Sequence, residues 1–349
     1  MRRWRKKSPR WFNENNYENR MDTLFSKETS EGVTSFSGGR VLLTGGTGFF
    51  GKWLLSLFLF AGKNPDTEIV VLSRNPAQFA AQYPMFGKSS NITFIQGDVL
   101  DFSFPAGPFD YVIHAATETN AKLERENPDG LYSVIVDGTR RVLEFSKQAE
   151  VKRVLYISSG AVYGVQPPQL LRIPEIFPCN PVTVYGKGKL AAEKMCLESG
   201  IETVIARPFA FVGPWLPLDA HFAIGNFIGS CLRNEPIEIK GDGTPLRSYM
   251  YGADLSEWLL AILLRGEPSR AYNVGSDEAI SIADLARLVR ECAGTQNEII
   301  VHGKKTAGAL PARYVPSVDR AKNELSLRLH CSLPDAIRRT IDWHRNLRK

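Results

Sequence analysis

Three polar side chains of this sequence have the types and spacing needed for proton transfer at a carbonyl. Tyr185 and Lys189 lie four residues apart in a stretch predicted to be helical, so they share one face of that helix. A phenol has a pKa of about 10, and a nearby ammonium and a cofactor cation would lower it towards neutrality. Ser159 follows an apolar run and could hydrogen-bond a substrate oxygen. These residues predict a catalytic set in which Tyr185 is the general acid or base and Lys189 also binds the cofactor ribose.

A glycine-rich segment at residues 44–51 lies between a predicted strand and an apolar predicted helix. Gly45, Gly48 and Gly51 have GxxGxxG spacing, which permits a tight turn and a close approach of the backbone to a pyrophosphate. The free N–H groups at the start of the helix would face the phosphates. The predicted cofactor contacts in this segment are Gly45, Thr47, Gly48, Phe49, Phe50 and Gly51.

The residues that close the second predicted strand favour one dinucleotide over the other. An Asp or Glu at this point would hold the ribose hydroxyls of NAD, but the sequence has Ser73 and Arg74. An arginine suits the 2′-phosphate of NADP, and Ser73 offers a second donor. The sequence therefore favours NADP(H), with NAD(H) as the alternative.

The elements that must position these residues follow from the alternation of apolar runs and amphipathic stretches. Predicted strands lie at 41–43, 69–72, 92–95, 111–113, 154–157 and 203–206. Predicted helices lie at 52–61, 129–148, 185–199, 222–233, 254–264, 281–293 and 334–346. This alternation predicts an α/β fold with a Rossmann-like, doubly wound parallel sheet and a smaller, mostly α C-terminal substrate-binding region. The predicted division is 1–39 as extension and linker, 40–206 as the dinucleotide-binding domain and 207–349 as the substrate-binding region.

Charge is concentrated at the amino terminus of the 349-residue chain. Residues 1–20 hold seven basic and two acidic residues. They therefore contribute +5 of the formal net charge of +6. We interpret this segment as a disordered extension, with a nucleic-acid-binding arm as the less favoured alternative. The rest of the chain is nearly neutral, which argues against nucleic acid as a partner of the folded body.

Composition excludes several classes of protein. With 43% hydrophobic and 23% charged residues, the chain is neither disordered nor fibrous, and no apolar stretch reaches the ~20 residues of a membrane-spanning helix. The five cysteines form no CxxC pair, which argues against a disulfide framework or a zinc site. We expect a cytoplasmic protein without a metal.

Further motifs follow the glycine segment in a fixed order. They are Gly97–Val99, His114–Thr117, Tyr156–Gly164, Tyr185 with Lys189, Arg207–Pro214, Gly241–Arg247, Asp254 and Asn273–Ser276. With the glycine segment, this series resembles the extended short-chain dehydrogenases/reductases, in the nucleotide-sugar branch often called NAD-dependent epimerase/dehydratase. The resemblance covers roughly residues 40–345.

The resemblance implies roles for the matching positions and a nucleotide sugar as substrate. Asp98 and Val99 would contact adenine, and Ala115, Ala116 and Thr117 would line the cofactor. Ser159 would be the catalytic hydroxyl. Asn226 and Arg247 would bind the substrate pyrophosphate. A homodimer is also implied, through the segments 123–147 and 181–200.

Departures from the family pattern narrow the reaction. Members that eliminate water or carbon dioxide usually carry an acidic pair where this chain has Gly160 and Ala161, which cannot move a proton. The usual asparagines of the 4-epimerases are replaced by Ile135 and Ala210. We therefore expect reduction of the 4-keto group of a nucleotide-linked 4-keto-6-deoxyhexose. The alternatives are a 4-epimerase, a disfavoured 4,6-dehydratase, and an NADP-sensing regulator without catalysis.

Overall fold

A computed structural model describes residues 24, 25, 36, 38–61, 67–117, 121–220 and 222–346. The basic segment 1–20 and most of the predicted linker lie outside these residues. Within the described ranges, no helix has both the length and the apolar character that crossing a membrane requires.

The described chain contains strands of two kinds, long ones in a central sheet and short ones around it. In chain order they are β1 Gly39–Thr44, β2 Thr67–Ser73, β3 Ile92–Gln96, β4 Tyr111–His114, β5 Arg153–Ile157, β6 Thr203–Pro208, β7 Phe211–Val212, β8 Ile237–Ile239, β9 Leu246–Arg247, β10 Met250–Tyr251, β11 Ala271–Val274, β12 Ile280–Ser281, β13 Ile299–Val301 and β14 Arg313–Tyr314. Seven of them form one parallel sheet in the order β11-β6-β5-β4-β1-β2-β3.

Helices cover both faces of this sheet. They are α1 Phe49–Ala61, α2 Pro76–Gln82, α3 Pro84–Gly87, α4 Ala121–Glu126, α5 Pro128–Gln148, α6 Val184–Glu198, α7 Ala223–Arg233, α8 Gly252–Arg265, α9 Ile282–Ala293, α10 Asp319–Leu325 and α11 Leu333–Asn346, with a 3₁₀ turn at Gly160–Tyr163. The predicted doubly wound α/β fold is confirmed. From β1 the strand order runs to β2 and β3 on one side, and the chain then crosses back to add β4, β5 and β6 on the other side. At this switch point, between β1 and β4, a crevice opens at the carboxyl ends of the two strands.

Alternate residues of each central strand enter two different cores. Leu43 belongs to the large core with α1 and α8, whereas its neighbour Leu42 belongs to the core with α5. Tyr156 and Ile205 belong to a third core, between the sheet and the α5–α6 pair. Burial on both faces explains the nearly continuous apolar strands.

The C-terminal region both completes the sheet and surrounds its open end. β11 pairs with β6 as the seventh strand, so this part of residues 207–349 lies in the sheet; the division at residue 206 stays a prediction. β9 pairs with β12 and with β14, in a register that sets Tyr314 opposite Arg247. This small sheet brings the segment 313–314 towards the carboxyl end of β5.

Candidate active site

The glycine segment forms a tight turn between β1 and α1 that has no room for a side chain at Gly45 or Gly51. Gly45 has a φ of +72°, and a Cβ atom on it would lie 2.5 Å from the carbonyl oxygen of Ala115. A Cβ on Gly51 would lie 2.3 Å from the Cα of Gly46. The turn is closed by a hydrogen bond of 3.0 Å from the Gly48 N–H to the Gly45 oxygen. The cradle therefore has a shape that fits a pyrophosphate at the start of α1, and the cofactor contacts of this segment stay a prediction.

A buried hydrogen-bond chain fixes the loop after β4 against this turn. Thr139 donates its hydroxyl to the backbone of α5, and its oxygen lies 3.0 Å from His114 Nε2. His114 Nδ1 lies 2.7 Å from Thr44 Oγ1, which accepts the Ala116 N–H at 3.2 Å. Burial and the Lys189 charge lower the pKa of His114 to about 3, so the ring is neutral. Because Thr139 already donates elsewhere, His114 carries its proton on Nε2 and holds Thr44 and Ala116 in place.

A cavity of about 370 Å³ opens beside the glycine turn at the end of β2. It is lined by Thr47, Lys52, Ser73, Arg74, Asn75, Gln78, Phe79, Gln82 and Tyr83. Ser73 and Arg74, the residues predicted to bind the 2′-phosphate, therefore both line this cavity beside the glycine turn. Lys52 is a second cation in this cavity, with its ammonium 5.2 Å from the centroid of the Tyr83 ring, and burial lowers its pKa to about 8.

The predicted adenine contacts lie after β3. Asp98 is half-buried, and its carboxylate accepts the N–H of Leu100 at 3.1 Å. The Val99 side chain is 8% exposed and packs in the core beside α5, where a Cβ on Gly138 would lie 2.9 Å from it. Because its side chain is packed in the core, Val99 would contact a ligand mainly through its backbone. Contact of both residues with adenine stays a prediction.

Ser159 and Tyr185 are brought together by two short elements. Ser159 follows β5 and caps the 3₁₀ turn by accepting the Ala161 N–H at 3.1 Å. Tyr185 is the second residue of α6, whose cap residue Thr183 accepts the Gly186 N–H at 3.0 Å. Burial raises the pKa of Tyr185 to about 12, and the neighbouring Ser159 hydroxyl opposes that rise. The phenol is therefore protonated at neutral pH.

Lys189 lies one turn further along α6 and is 3% exposed. Its ammonium donates to Thr117 Oγ1 at 2.9 Å and to the Ile157 carbonyl at 2.8 Å. The same ammonium lies 5.9 Å from the centroid of the Tyr185 ring. Burial lowers the pKa of Lys189 to about 7. The structure thus groups Thr117, Tyr185, Lys189 and Ser159 at one end of the sheet.

An ion pair inside the protein fixes the position of α6. Glu193 receives two hydrogen bonds from the Arg207 guanidinium, at 3.0 and 2.7 Å, and one from the Ser158 hydroxyl. Arg207 lies on β6, so the pair joins α6 to the sheet one turn beyond Lys189. A bidentate pair allows only a narrow range of distances and angles between the guanidinium and the carboxylate. The pair therefore fixes the position of α6 relative to β5, and with it the positions of Lys189 and Tyr185.

The two predicted substrate residues have different surroundings. Arg247 lies on β9 with its guanidinium carbon 5.9 Å from the centroid of the Tyr314 ring. Tyr314 in turn lies beside the residue after Ser159, with its hydroxyl 2.6 Å from the ideal Cβ position of Gly160. Arg247 is therefore linked to the catalytic group. Asn226 is half-buried near the start of α7, and its contact with a pyrophosphate stays a prediction.

Sequence reasoning missed three groups that the structure places at this site. Lys52 directly follows the last glycine of the turn, a position from which the first turn of α1 can reach β2. His114 belongs to one of the sequence motifs, but the sequence assigns no role to its side chain. Tyr314 lies more than 120 residues beyond Tyr185 and belongs to no motif that was recognised.

No group of three or more His, Cys, Asp or Glu side chains able to hold a metal occurs within the described ranges. All five cysteines carry free thiols. The groups that the structure brings together at the site are a buried phenol, an ammonium and hydroxyls next to the glycine turn. This is the arrangement of a hydride-transfer enzyme of the doubly wound class.

Comparison with known proteins identifies the family. The profile of the NAD dependent epimerase/dehydratase family matches residues 41–275. The chain belongs to this family. Two of the three relatives described below are nucleotide-sugar enzymes by their names.

Three relatives represent the range of reactions. UDP-glucuronic acid decarboxylase 1 of Xenopus tropicalis is 27% identical over 88% of this chain and 72% of its own length. dTDP-D-glucose 4,6-dehydratase of Mus musculus is 28% identical over 92% of both chains. The solved structure of an epimerase from Methanothermobacter thermautotrophicus has 25% identity and a TM-score of 0.77 over 92% of this chain and 96% of its own. The chain is thus similar to a decarboxylase, a dehydratase and an epimerase.

Proposed function

We propose that this protein reduces the 4-keto group of a nucleoside-diphosphate 4-keto-6-deoxyhexose with NADPH. The observation that carries the proposal is the space beside Ser159. A Cβ on Gly160 would lie 2.6 Å from the Tyr314 hydroxyl and 2.9 Å from the Phe209 ring, so a carboxylate side chain has no room there. Among the described residues, the site therefore has hydroxyls and an ammonium for hydride transfer, while Gly160 leaves no room beside Ser159 for the acidic side chain that the elimination of water or carbon dioxide would use.

Each of the three catalytic residues has a defined part in this reduction. When bound, the nicotinamide supplies the hydride to the carbonyl carbon. Tyr185, which is protonated because burial raises its pKa, gives its proton to the carbonyl oxygen. Ser159 donates a hydrogen bond to the same oxygen, and the Lys189 charge stabilises the phenolate that remains. Ketone, NADPH and one proton become alcohol and NADP⁺.

The preference for NADPH is supported by charge at the end of β2. Arg74 and Lys52 place two cations in the cavity beside the glycine turn, together with the hydroxyl of Ser73. A phosphate monoester carries close to two negative charges at neutral pH, and guanidinium and ammonium groups are its usual partners. None of the described residues that line this cavity is an acidic one that could hold the ribose hydroxyls of NAD.

The experiment that tests the proposal mixes the protein with NADPH and dTDP- or GDP-4-keto-6-deoxyhexose. Absorbance at the nicotinamide band should fall, and mass spectrometry should find a sugar nucleotide two hydrogens heavier. Without either change for both nucleotides, the reductase proposal is wrong. A matched Tyr185→Phe variant controls for contaminating reductases.

A second candidate is a 4-epimerase, favoured by the structural similarity to the Methanothermobacter epimerase. The same three residues can take the proton from a 4-hydroxyl and later return it, while a bound nicotinamide would accept the hydride and give it back to the other face of the carbon, so the cofactor would be unchanged overall. Inversion of a 4-hydroxyl in UDP-glucose, without net consumption of cofactor, would support it. Conversion of dTDP-glucose to its 4-keto-6-deoxy product would instead support a dehydratase like that of the mouse.

Assembly as a homodimer through α5 and α6 is also part of the proposal. These helices pack against each other along one face of the sheet, and the exposed Tyr132 and Leu197 lie on them. Sedimentation of the purified protein tests this point independently of catalysis.

A further inference from the structure

Two residues that precede the first strand are packed into the large core. Leu24 and Phe25 are each 4% exposed, although both belong to the segment that the sequence predicts as an extension and linker. The Phe25 ring stacks on that of Phe60, with centroids 5.0 Å apart, and meets the Trp53 ring edge-on at 5.8 Å. Trp53 and Phe60 are seven residues apart, which is two turns of α1, so Phe25 lies along one face of this helix.

The second wall around these two residues is provided by α11. Arg339 of α11 donates a hydrogen bond of 3.4 Å to the Leu24 carbonyl, and its guanidinium carbon lies 5.5 Å from the centroid of the Tyr251 ring. The Tyr251 ring in turn meets that of Trp53 edge-on at 5.1 Å. Leu24 and Phe25 therefore lie between α1 and α11 and contact both helices.

Trp53 connects this contact to the dinucleotide turn. It lies two positions after Gly51, where α1 approaches the Gly46 backbone so closely that a side chain has no room. On the indole's other contacts, a Cβ on Gly252 would overlap the ring, and one on Gly213 would lie 2.8 Å from its Cζ2 atom. A shift of Trp53 would therefore move the start of α1 relative to both the glycine turn and the C-terminal region.

We propose that the space between α1 and α11 is a docking surface for this chain's own segment at Leu24 and Phe25, and that this docking is coupled to dinucleotide binding. The start of α1 faces the pyrophosphate, and the docked Phe25 ring restrains the same helix through Trp53 and Phe60. A dinucleotide that requires one position of α1 favours the docked segment. By linkage, the docked segment then strengthens dinucleotide binding by the same factor. This coupling requires a dinucleotide at the glycine turn but neither the proposed sugar nor the proposed reaction.

The test compares variants of the full chain by their affinity for NADPH and for NADH, measured by cofactor fluorescence. Phe25→Ala removes the ring and should weaken binding of the preferred dinucleotide at least about fivefold. Phe25→Leu keeps an apolar side chain in the core, so it should stay folded and show a smaller loss. Phe109→Ala is the matched control, because it removes a ring that is only 2% exposed from the separate core beside α5. It should lose stability but bind the dinucleotide as the wild type does.

Hydrogen exchange of the wild type tests the same coupling without a substitution. NADPH should slow amide exchange in the peptide that contains residues 24 and 25, because the protein with bound cofactor opens less often there. Exchange that slows as the protein concentration rises would show the segment of a second copy in this position, which contradicts docking within one chain.

Three further results would overturn the coupling while leaving the proposed function intact. One is a Phe25→Ala protein that unfolds cooperatively on heating and binds the dinucleotide as tightly as the wild type. Another is an equal loss of affinity in Phe25→Ala and Phe109→Ala, which would reflect a general loss of stability. The third is exchange at residues 24 and 25 that NADPH does not change.

The proposed function fails in a different way. A wild type that binds a dinucleotide but reduces no sugar nucleotide would contradict the proposed reaction and leave the coupling in place. A wild type that binds neither NADPH nor NADH would contradict the dinucleotide cradle itself, and the coupling would be wrong with it.

Discussion

The Tyr185 phenol is held protonated by its surroundings, and this state suits reduction more than oxidation. Burial raises its pKa to about 12, while the neighbouring Ser159 hydroxyl opposes that rise. The sequence predicts that the pKa of Tyr185 is lowered towards neutrality by a nearby ammonium and a cofactor cation. Because the Lys189 ammonium is already bonded to Thr117 and Ile157, this lowering depends on the positive charge of an oxidised nicotinamide. A protonated phenol is the acid that a carbonyl reduction needs.

Tyr185→Phe should lower kcat about 10²- to 10⁴-fold, the usual contribution of a general acid. Cofactor affinity, measured by quenching of NADPH fluorescence, should change less than threefold because the glycine turn is unaffected. An active Tyr185→Phe enzyme would show that another group supplies the proton. Ser159→Ala is the companion variant, and we expect a smaller loss of about 10- to 100-fold, since it removes one hydrogen bond.

Arg74→Leu should reduce the preference for NADPH over NADH at least about tenfold, measured as the ratio of the two kcat/KM values. Lys52→Met should act in the same direction because its ammonium lies in the same cavity. Arg287→Leu, which removes an exposed arginine from α9, is the matched control and should leave the ratio unchanged. A wild-type preference for NADH would contradict the assignment of this cavity to a 2′-phosphate.

At the scale of elements, the site depends on how closely β1, α1 and the loop after β4 approach each other. That approach requires glycine where the backbones touch, at Gly45 against Ala115 and at Gly51 against Gly46. The same logic applies to α6, where a Cβ on Gly186 would lie 2.8 Å from the Ala161 carbonyl oxygen. Close packing of backbones gives the precision with which the catalytic groups are placed.

Gly51→Ala should destabilise the protein by about 1–3 kcal/mol and abolish cofactor binding, since its methyl group would overlap the Gly46 backbone. Thermal unfolding with and without NADPH measures both effects. Gly241→Ala is the matched substitution for stability, because no atom lies within 4 Å of its ideal Cβ position. Equal melting temperatures for the two variants would disprove the packing argument.

The long elements could be predicted from the sequence because their apolar pattern is local. The six predicted strands and the seven predicted helices all occur, with ends that differ by only a few residues. β9 and β14 have two residues each and are half-buried, so they carry no periodic pattern and exist only through their tertiary pairing. For this reason Arg247 could be predicted as a candidate from its motif, but its neighbour Tyr314 could not. Lys52 was missed because a lysine on a helix usually indicates a solvent-exposed position.

At the scale of the whole molecule, stability depends on two carboxyl groups of α8 that lie far from the catalytic residues in sequence. Burial raises the pKa of Asp254 to about 7, although it accepts the N–H groups of His330 and Cys331. Burial and the Asp254 charge raise the pKa of Glu257 to about 8, while Arg265 opposes the shift. The His330 ring lies 3.5 Å from Glu257 Oε2.

The folded protein therefore binds more protons than the unfolded chain between the ordinary pKa of Glu257 and about 8. The stability contributed by this group is complete below pH ~4.5 and is lost as the pH rises through about 8. Glu257→Gln, which removes the charge, should be more stable than the wild type at pH ~9 by on the order of 3 kcal/mol and close to it at pH ~5. Chemical denaturation at both pH values checks the sign, and a variant less stable than the wild type at high pH would contradict it.

The most direct measurement of the central claim is the transfer of deuterium from NADPH labelled at the nicotinamide C4 position to a dTDP-4-keto-6-deoxyhexose. If Tyr185, Lys189 and Ser159 perform hydride transfer at the sugar, nuclear magnetic resonance of the product will find deuterium on C4 of the hexose, and Tyr185→Phe will transfer almost none. NADPH oxidised without label in the sugar, or a 4-keto sugar left unchanged by a protein that binds both ligands, would contradict the account.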